Sequence, residues 1–97
     1  MIQSIHPEAE REFKAAANFY NEREEGLGDD FSEEVFATID RIIEFPNSWP
    51  RSSYRTRRSL CNRFPYSVIY RYTEAEVTIY AVAHQKRKPG YWKDRLK

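Results

Sequence analysis

The sequence predicts an α+β fold: a short N-terminal strand, an antiparallel helical hairpin packed on an antiparallel sheet, and a short C-terminal tail or helix. Two observations predict it. Apolar residues recur at helical spacing twice before residue 46, and from about Tyr54 the period changes to two. A third, the placement of Gly26-Leu27-Gly28, Pro46 and Pro89-Gly90, divides the chain into those elements.

Ile2 to Ile5 is expected to form an edge strand. Pro7 suits the first position of a helix, where its missing N–H removes no hydrogen bond. Glu8, Glu10 and Glu12 follow in the first turns, beside the positive end of the helix dipole. Ala9, Phe13, Ala16, Ala17 and Tyr20 make one apolar face, and Gly26-Leu27-Gly28 ends the helix. Asp29 or Asp30 is expected to cap a second helix, with Phe31, Val35, Ile39, Ile42 and Ile43 on its apolar face. Pro46 stops that helix, and so short a connection predicts an antiparallel pair. Residues 47–51 form a loop from which Trp49 packs back onto the core.

The second half reads as a meander. A strand is expected over Arg57–Arg63, with a turn near Phe64-Pro65. Tyr66–Tyr72 and Val77–Ala83 are β-branched and aromatic runs separated by a polar turn at 73–76. Tyr66, Tyr70 and Tyr72 share one face by alternation, and that face is expected to belong to the core.

Ninety-seven residues make one domain, 1–97, with a thin core in which the 15% aromatic content supplies much of the buried area. A single cysteine, Cys61, excludes an internal disulfide. No apolar run approaches the roughly 18 residues of a membrane span. The first residues lack the basic start and apolar stretch of a signal peptide, so a cytoplasmic protein is expected. The net charge of +1 hides an asymmetry. Residues 1–50 carry twelve acidic and four basic side chains, whereas residues 51–97 carry three acidic and twelve basic. That split suits a basic working half that meets a polyanion or an acidic partner, the favoured reading, with two halves that simply attract each other as the alternative.

Several stretches resemble the RelE/ParE toxin superfamily, and within it the plasmid-stabilisation branch. They are His6-Pro7-Glu8-Ala9, the Gly26-Leu27-Gly28 break, Phe64-Pro65-Tyr66-Ser67-Val68-Ile69-Tyr70-Arg71, and Ala83 through Trp92. The resemblance spans nearly the whole chain. It implies the toxin of a type II toxin–antitoxin pair, which arrests growth when free and is neutralised by a cognate antitoxin protein in a heterotetramer or larger complex. It implies one of two targets: DNA gyrase, as for ParE-like members, or messenger RNA on the ribosome, as for RelE-like ones. A non-toxic member that only binds antitoxin is a third reading.

RelE-like cleavage uses lysine, arginine and a C-terminal tyrosine. Position by position, this chain carries Ser67 where the strand arginine is expected and Leu60 where a second basic residue is expected after Arg58. Gln85 stands where another arginine is expected, although Arg87 lies two residues on, and Tyr91 matches the terminal tyrosine. A fixed guanidinium fork is hard to replace, which tilts the expectation away from an enzyme. A different catalytic set, Arg71, His84, Arg87 and Tyr91, is conceivable where the last strand meets the tail. His84 competes with a plain structural role at a strand end, and His6 reads as a helix-entry residue. Arg55, Arg57, Arg58, Arg63, Lys86, Lys88, Trp92 and Lys93 are the candidates for contact with a nucleic acid or target. Tyr91 and Trp92 either clamp the tail to the sheet, the favoured reading, or form a target-binding tip. Neither histidine nor Cys61 has metal-ligand spacing, so no metal or cofactor is expected.

Overall fold

The computed structural model describes residues 2–96. Strand β1 spans Ile2–Ile5, helix α1 Pro7–Arg23, helix α2 Leu27–Glu44, strand β2 Arg57–Leu60, strand β3 Tyr66–Tyr72 and strand β4 Glu76–His84. A short 3₁₀ turn at Ser53–Arg55 precedes β2, and another at Lys93–Leu96 closes the tail. The hairpin packs on one face of a four-stranded sheet of order β1-β4-β3-β2. The meander β2-β3-β4 is antiparallel as expected, and β1 joins β4 in parallel, which makes the sheet mixed.

Local chemistry explains the helix ends. The His6 side chain accepts the Glu8 N–H at 3.1 Å through Nδ1 and caps α1. Gly26 has φ +85°, a left-handed conformation that turns the chain back at once. Helix α2 therefore begins at Leu27, two residues before the aspartates expected to cap it. Those aspartates lie in its first turn, beside the dipole's positive end. Asn21 of α1 accepts the Gly28 N–H at 2.8 Å, so one helix caps the other. A β-carbon on Gly28 would lie 2.1 Å from the Ala17 carbonyl oxygen, so only glycine permits this approach.

Phe31, Val35, Ile39 and Ile42 of α2 bury against Val68, Tyr70, Val77, Ile79 and Val82 of the sheet. Phe31 sits among four rings, Phe13, Tyr20, Phe64 and Tyr66, with centroids 5.0–6.0 Å away. Trp49 packs against the same core. Strand β2 stops at Leu60, short of the expected Arg63. The Cys61 N–H bonds to the Tyr66 carbonyl at 2.9 Å and closes the turn earlier. Burial pushes the Cys61 thiol up, as befits a packing residue.

Tyr70 is fully buried, and its hydroxyl donates to the Pro46 carbonyl at 2.6 Å. Burial pushes its pKa from 10.0 to about 12. A raised phenol stabilises the fold completely below the unfolded value and ceases to as pH passes the folded one. Stability is thus expected to fall between pH 10 and about 12. Urea midpoints of the wild type and Tyr70→Phe across that window test this. The variant should show a flatter alkaline decline, and an equal decline would assign the loss to other groups.

One irregularity shapes everything beyond the core. Tyr70 pairs with Ile79 but Ile69 pairs with Ala81, so Tyr80 is an extra residue in β4. Val77 and Ile79 face the helices before the bulge. After it Val82 does, while Ala81 and Ala83 turn to the opposite face.

Candidate functional site

The sheet face away from the helices carries Leu60, Ser67 and Ala83 in one cross-strand row and Arg58, Ile69 and Ala81 in the next. Trp92 lies across Ile69, Ala81 and Ala83 and is only 4% exposed. Two small side chains opposite it leave room for the indole. Gly90, at φ +79°, brings the tail in, and a β-carbon there would lie 2.9 Å from the Tyr54 ring. Tyr54 meets Trp92 edge-on at 5.9 Å. The space remaining beside Arg58, Ser67, Arg87, Lys88 and Tyr91 is about 80 Å³.

A partly buried ionic cluster fastens the tail. The Tyr91 hydroxyl donates to Glu12 Oε2. Arg95 makes a bidentate pair with the same carboxylate, at 2.8 and 3.0 Å. Glu12 also accepts the Val82 N–H at 3.1 Å, and Arg95 donates to the Tyr80 carbonyl at 3.0 Å. These two backbone groups belong to the edge of β4 beyond Ile79, where pairing with β1 ends. Arg87 lies 3.8 Å over the Tyr91 ring and Arg95 lies 5.2 Å from it. Burial, and then the hydrogen bond to Glu12, pushes the Tyr91 phenol well above its ordinary value. Held neutral and donating to Glu12, it is a clamp more than a proton donor for a leaving group.

The family model of the ParE toxin of type II toxin–antitoxin systems (parDE) matches residues 4–89. The chain belongs to the ParE toxin family. In three dimensions it is similar to a chain of the chromosomal ParDE toxin–antitoxin system from P. aeruginosa. The TM-score is 0.74 at 14% identity, over 87% of this chain and 95% of that one. No sequence among curated proteins matches it.

In this ParE-family chain three of the four conceivable catalytic residues, His84, Arg87 and Tyr91, border the small space beside the tail, and Arg71 does not. Arg87 and Tyr91 are stacked. His84 pairs with Tyr66 across the strands and packs edge-on against its ring at 5.1 Å, toward the helices, and its Nδ1 accepts the Lys86 N–H at 3.1 Å. Arg71 lies elsewhere, donating to the Tyr54 carbonyl at 2.6 Å. The bulge at Tyr80 is the cause: by simple alternation from Thr78, which pairs with Arg71, His84 would share Arg71's face.

The basic candidates divide as well. Arg55 and Arg57 line one cleft with Arg51 and Arg71, whereas Arg58 and Lys88 border the tail. Arg63 pairs with Asp30 of α2 at 3.7 Å, an exposed contact of small energetic weight. Lys86 and Lys93 are exposed, and Trp92, a candidate for target contact, is instead inside the tail clamp. Glu12 is not among the candidate residues, and Arg95 counts there only as one of the tail's basic side chains that could follow a phosphate backbone. Glu12 carried a signal, because it lies three residues after Ala9 and four before Ala16, on the edge of the buried stripe. An acid there needs a partner, and the dipole reading of Glu8, Glu10 and Glu12 as one group concealed it.

Proposed function

We propose that this chain is the growth-arresting toxin of a type II pair, held silent in the cytoplasm by a cognate antitoxin, and that it acts by binding DNA gyrase rather than by cutting messenger RNA. Family membership supports the toxin role. The observation that favours binding over cleavage is the filled sheet face. A scissile phosphate and its flanking bases need a site of several hundred Å³, roughly 300 Å³ at least, against the about 80 Å³ beside Trp92. Arg58, Arg87 and Lys88 border that space, but Ser67 and Leu60 leave it without the two cations expected at their positions for a phosphorane-like charge.

Two assays on the purified chain test the reading: inhibition of gyrase supercoiling, and cleavage of messenger RNA on translating ribosomes. Inhibition with intact RNA is the expected result. Cleavage with normal supercoiling would overturn it and return Arg87 and Tyr91 to candidacy as catalytic groups.

The antitoxin's seat in this reading is the groove of about 260 Å³ between α1 and β4, where Ala15, Ala16, Phe19, Tyr66 and Val82 form an apolar floor bordered by Glu12, His84 and Arg87. Phe19 is 47% exposed, its ring covered on one side by Arg23 at 4.6 Å. An amphipathic helix from a partner would bury it. Phe19→Asp should weaken antitoxin binding by at least tenfold, measured by calorimetry, with an unchanged urea midpoint. Undiminished affinity would move the antitoxin elsewhere.

A further inference from the structure

At the other end of β3 from the α1–β4 groove, the turn at Ser53–Arg55 and the ends of β2 and β3 border a separate cleft of about 600 Å³. Four arginines line it, Arg51, Arg55, Arg57 and Arg71, together with Ser52, Thr56 and Tyr72, and no acidic residue does. Four like charges in one concavity repel one another, so the arrangement is disfavoured unless an anion relieves it.

Two of the four are anchored. Arg71 donates to the Tyr54 carbonyl at 2.6 Å, and its Nε is buried without a partner. Arg57 donates to the carbonyls of Asn47 and Trp49 at 3.2 and 2.7 Å and lies 5.6 Å from the Tyr72 ring centre. The other two are exposed, and among the described residues neither side chain makes a hydrogen bond or ion pair. Tyr54 and Arg55 both adopt positive φ, 60° and 62°, which side chains other than glycine and asparagine seldom do. Consecutive strained residues that aim an arginine into a cleft are the kind of backbone cost found at binding sites.

We propose that this cleft binds phosphodiester groups of a single-stranded nucleic acid, with Arg57 and Arg71 as the fixed base of the site and Arg51 and Arg55 closing on the phosphate oxygens. Guanidinium forks match phosphate oxygens two at a time. The cleft's size suits one nucleotide unit, within the roughly 300–1,000 Å³ of small-ligand sites. The Tyr72 ring beside it suits an unstacked base or sugar better than it suits a run of acidic side chains. The site is independent of which enzyme the toxin arrests, so its failure would leave the gyrase reading intact.

The test is fluorescence anisotropy of a labelled ten-nucleotide oligothymidylate with the full chain over a range of salt concentrations. The double variant Arg51→Gln/Arg55→Asn should weaken binding at least tenfold and reduce the salt slope by roughly one to two. Asparagine accepts the left-handed conformation at position 55, and both side chains are exposed, so circular dichroism should be unchanged. Lys86→Gln/Lys88→Gln removes the same charge outside the cleft and should weaken binding much less. An equal loss in the two double variants would overturn the site in favour of diffuse basic attraction. Equal or tighter binding of a ten-residue polyglutamate would overturn the nucleic-acid assignment.

Discussion

Glu12→Ala is expected to destabilise the fold by about 3 kcal/mol, the lower end of what breaking a buried ion pair costs. The carboxylate accepts from Tyr91, from both terminal nitrogens of Arg95 and from the Val82 N–H. Its side chain is 16% exposed and that of Arg95 is 14%. Removing it leaves a mostly buried guanidinium, a phenol and a strand-edge N–H without their acceptor. Urea unfolding measures the loss. The pair variant Glu12→Ala/Arg95→Ala should lose less than the two single losses added together, because the second removal relieves the charge stranded by the first. Strict additivity, or a loss under about 1 kcal/mol for Glu12→Ala, would make the cluster a surface pair of small weight.

Trp92→Ala is expected to cost roughly 4 kcal/mol, typical of truncating a buried aromatic. Ile69, Ala81 and Ala83 would lose their cover, and neighbouring small residues offer little to collapse into the gap. The variant also interrogates function. With the indole gone, the sheet face beside Arg58 and Ser67 opens, yet no new cation enters it. Messenger RNA on the ribosome is therefore expected to stay intact in the presence of Trp92→Ala. Cleavage that appears only in the variant would mean that the tail covers a competent catalytic face. Adding Glu12→Ala to Trp92→Ala should cost less than the sum of the two, since both act by holding the same tail.

Much of the fold could be read from the chain because it depends on neighbours in sequence. Pro7 and the spacing of Ala9, Phe13, Ala16 and Tyr20 predict α1 whatever lies opposite it. The alternation in Tyr66–Tyr72 similarly predicts β3 and the inward face of Tyr70. Helix α2 starts earlier than Asp29 and Asp30 imply, because these are good capping residues and a lone glycine in a turn does not announce its φ. The parallel pairing of β1 with β4 joins residues more than 70 positions apart, and nothing within Ile2–Ile5 states its direction.

The candidate site was less legible for the same reason. The chain alone determined the ParE-like arrangement of a hairpin and a meander, the basic second half, and the absence of an arginine at position 67. Composition and local period suffice for these. Only the tertiary structure decided which basic residues work together. The extra residue at Tyr80 reverses the facing of everything after it in β4, which separates His84 from Arg71. The fold then brings Glu12 to Arg95 across 83 positions and gathers Arg51, Arg55, Arg57 and Arg71 around one cleft. A bulge and a long-range ion pair are settled by competition among whole packed arrangements, and such competition leaves little trace in any short window of sequence.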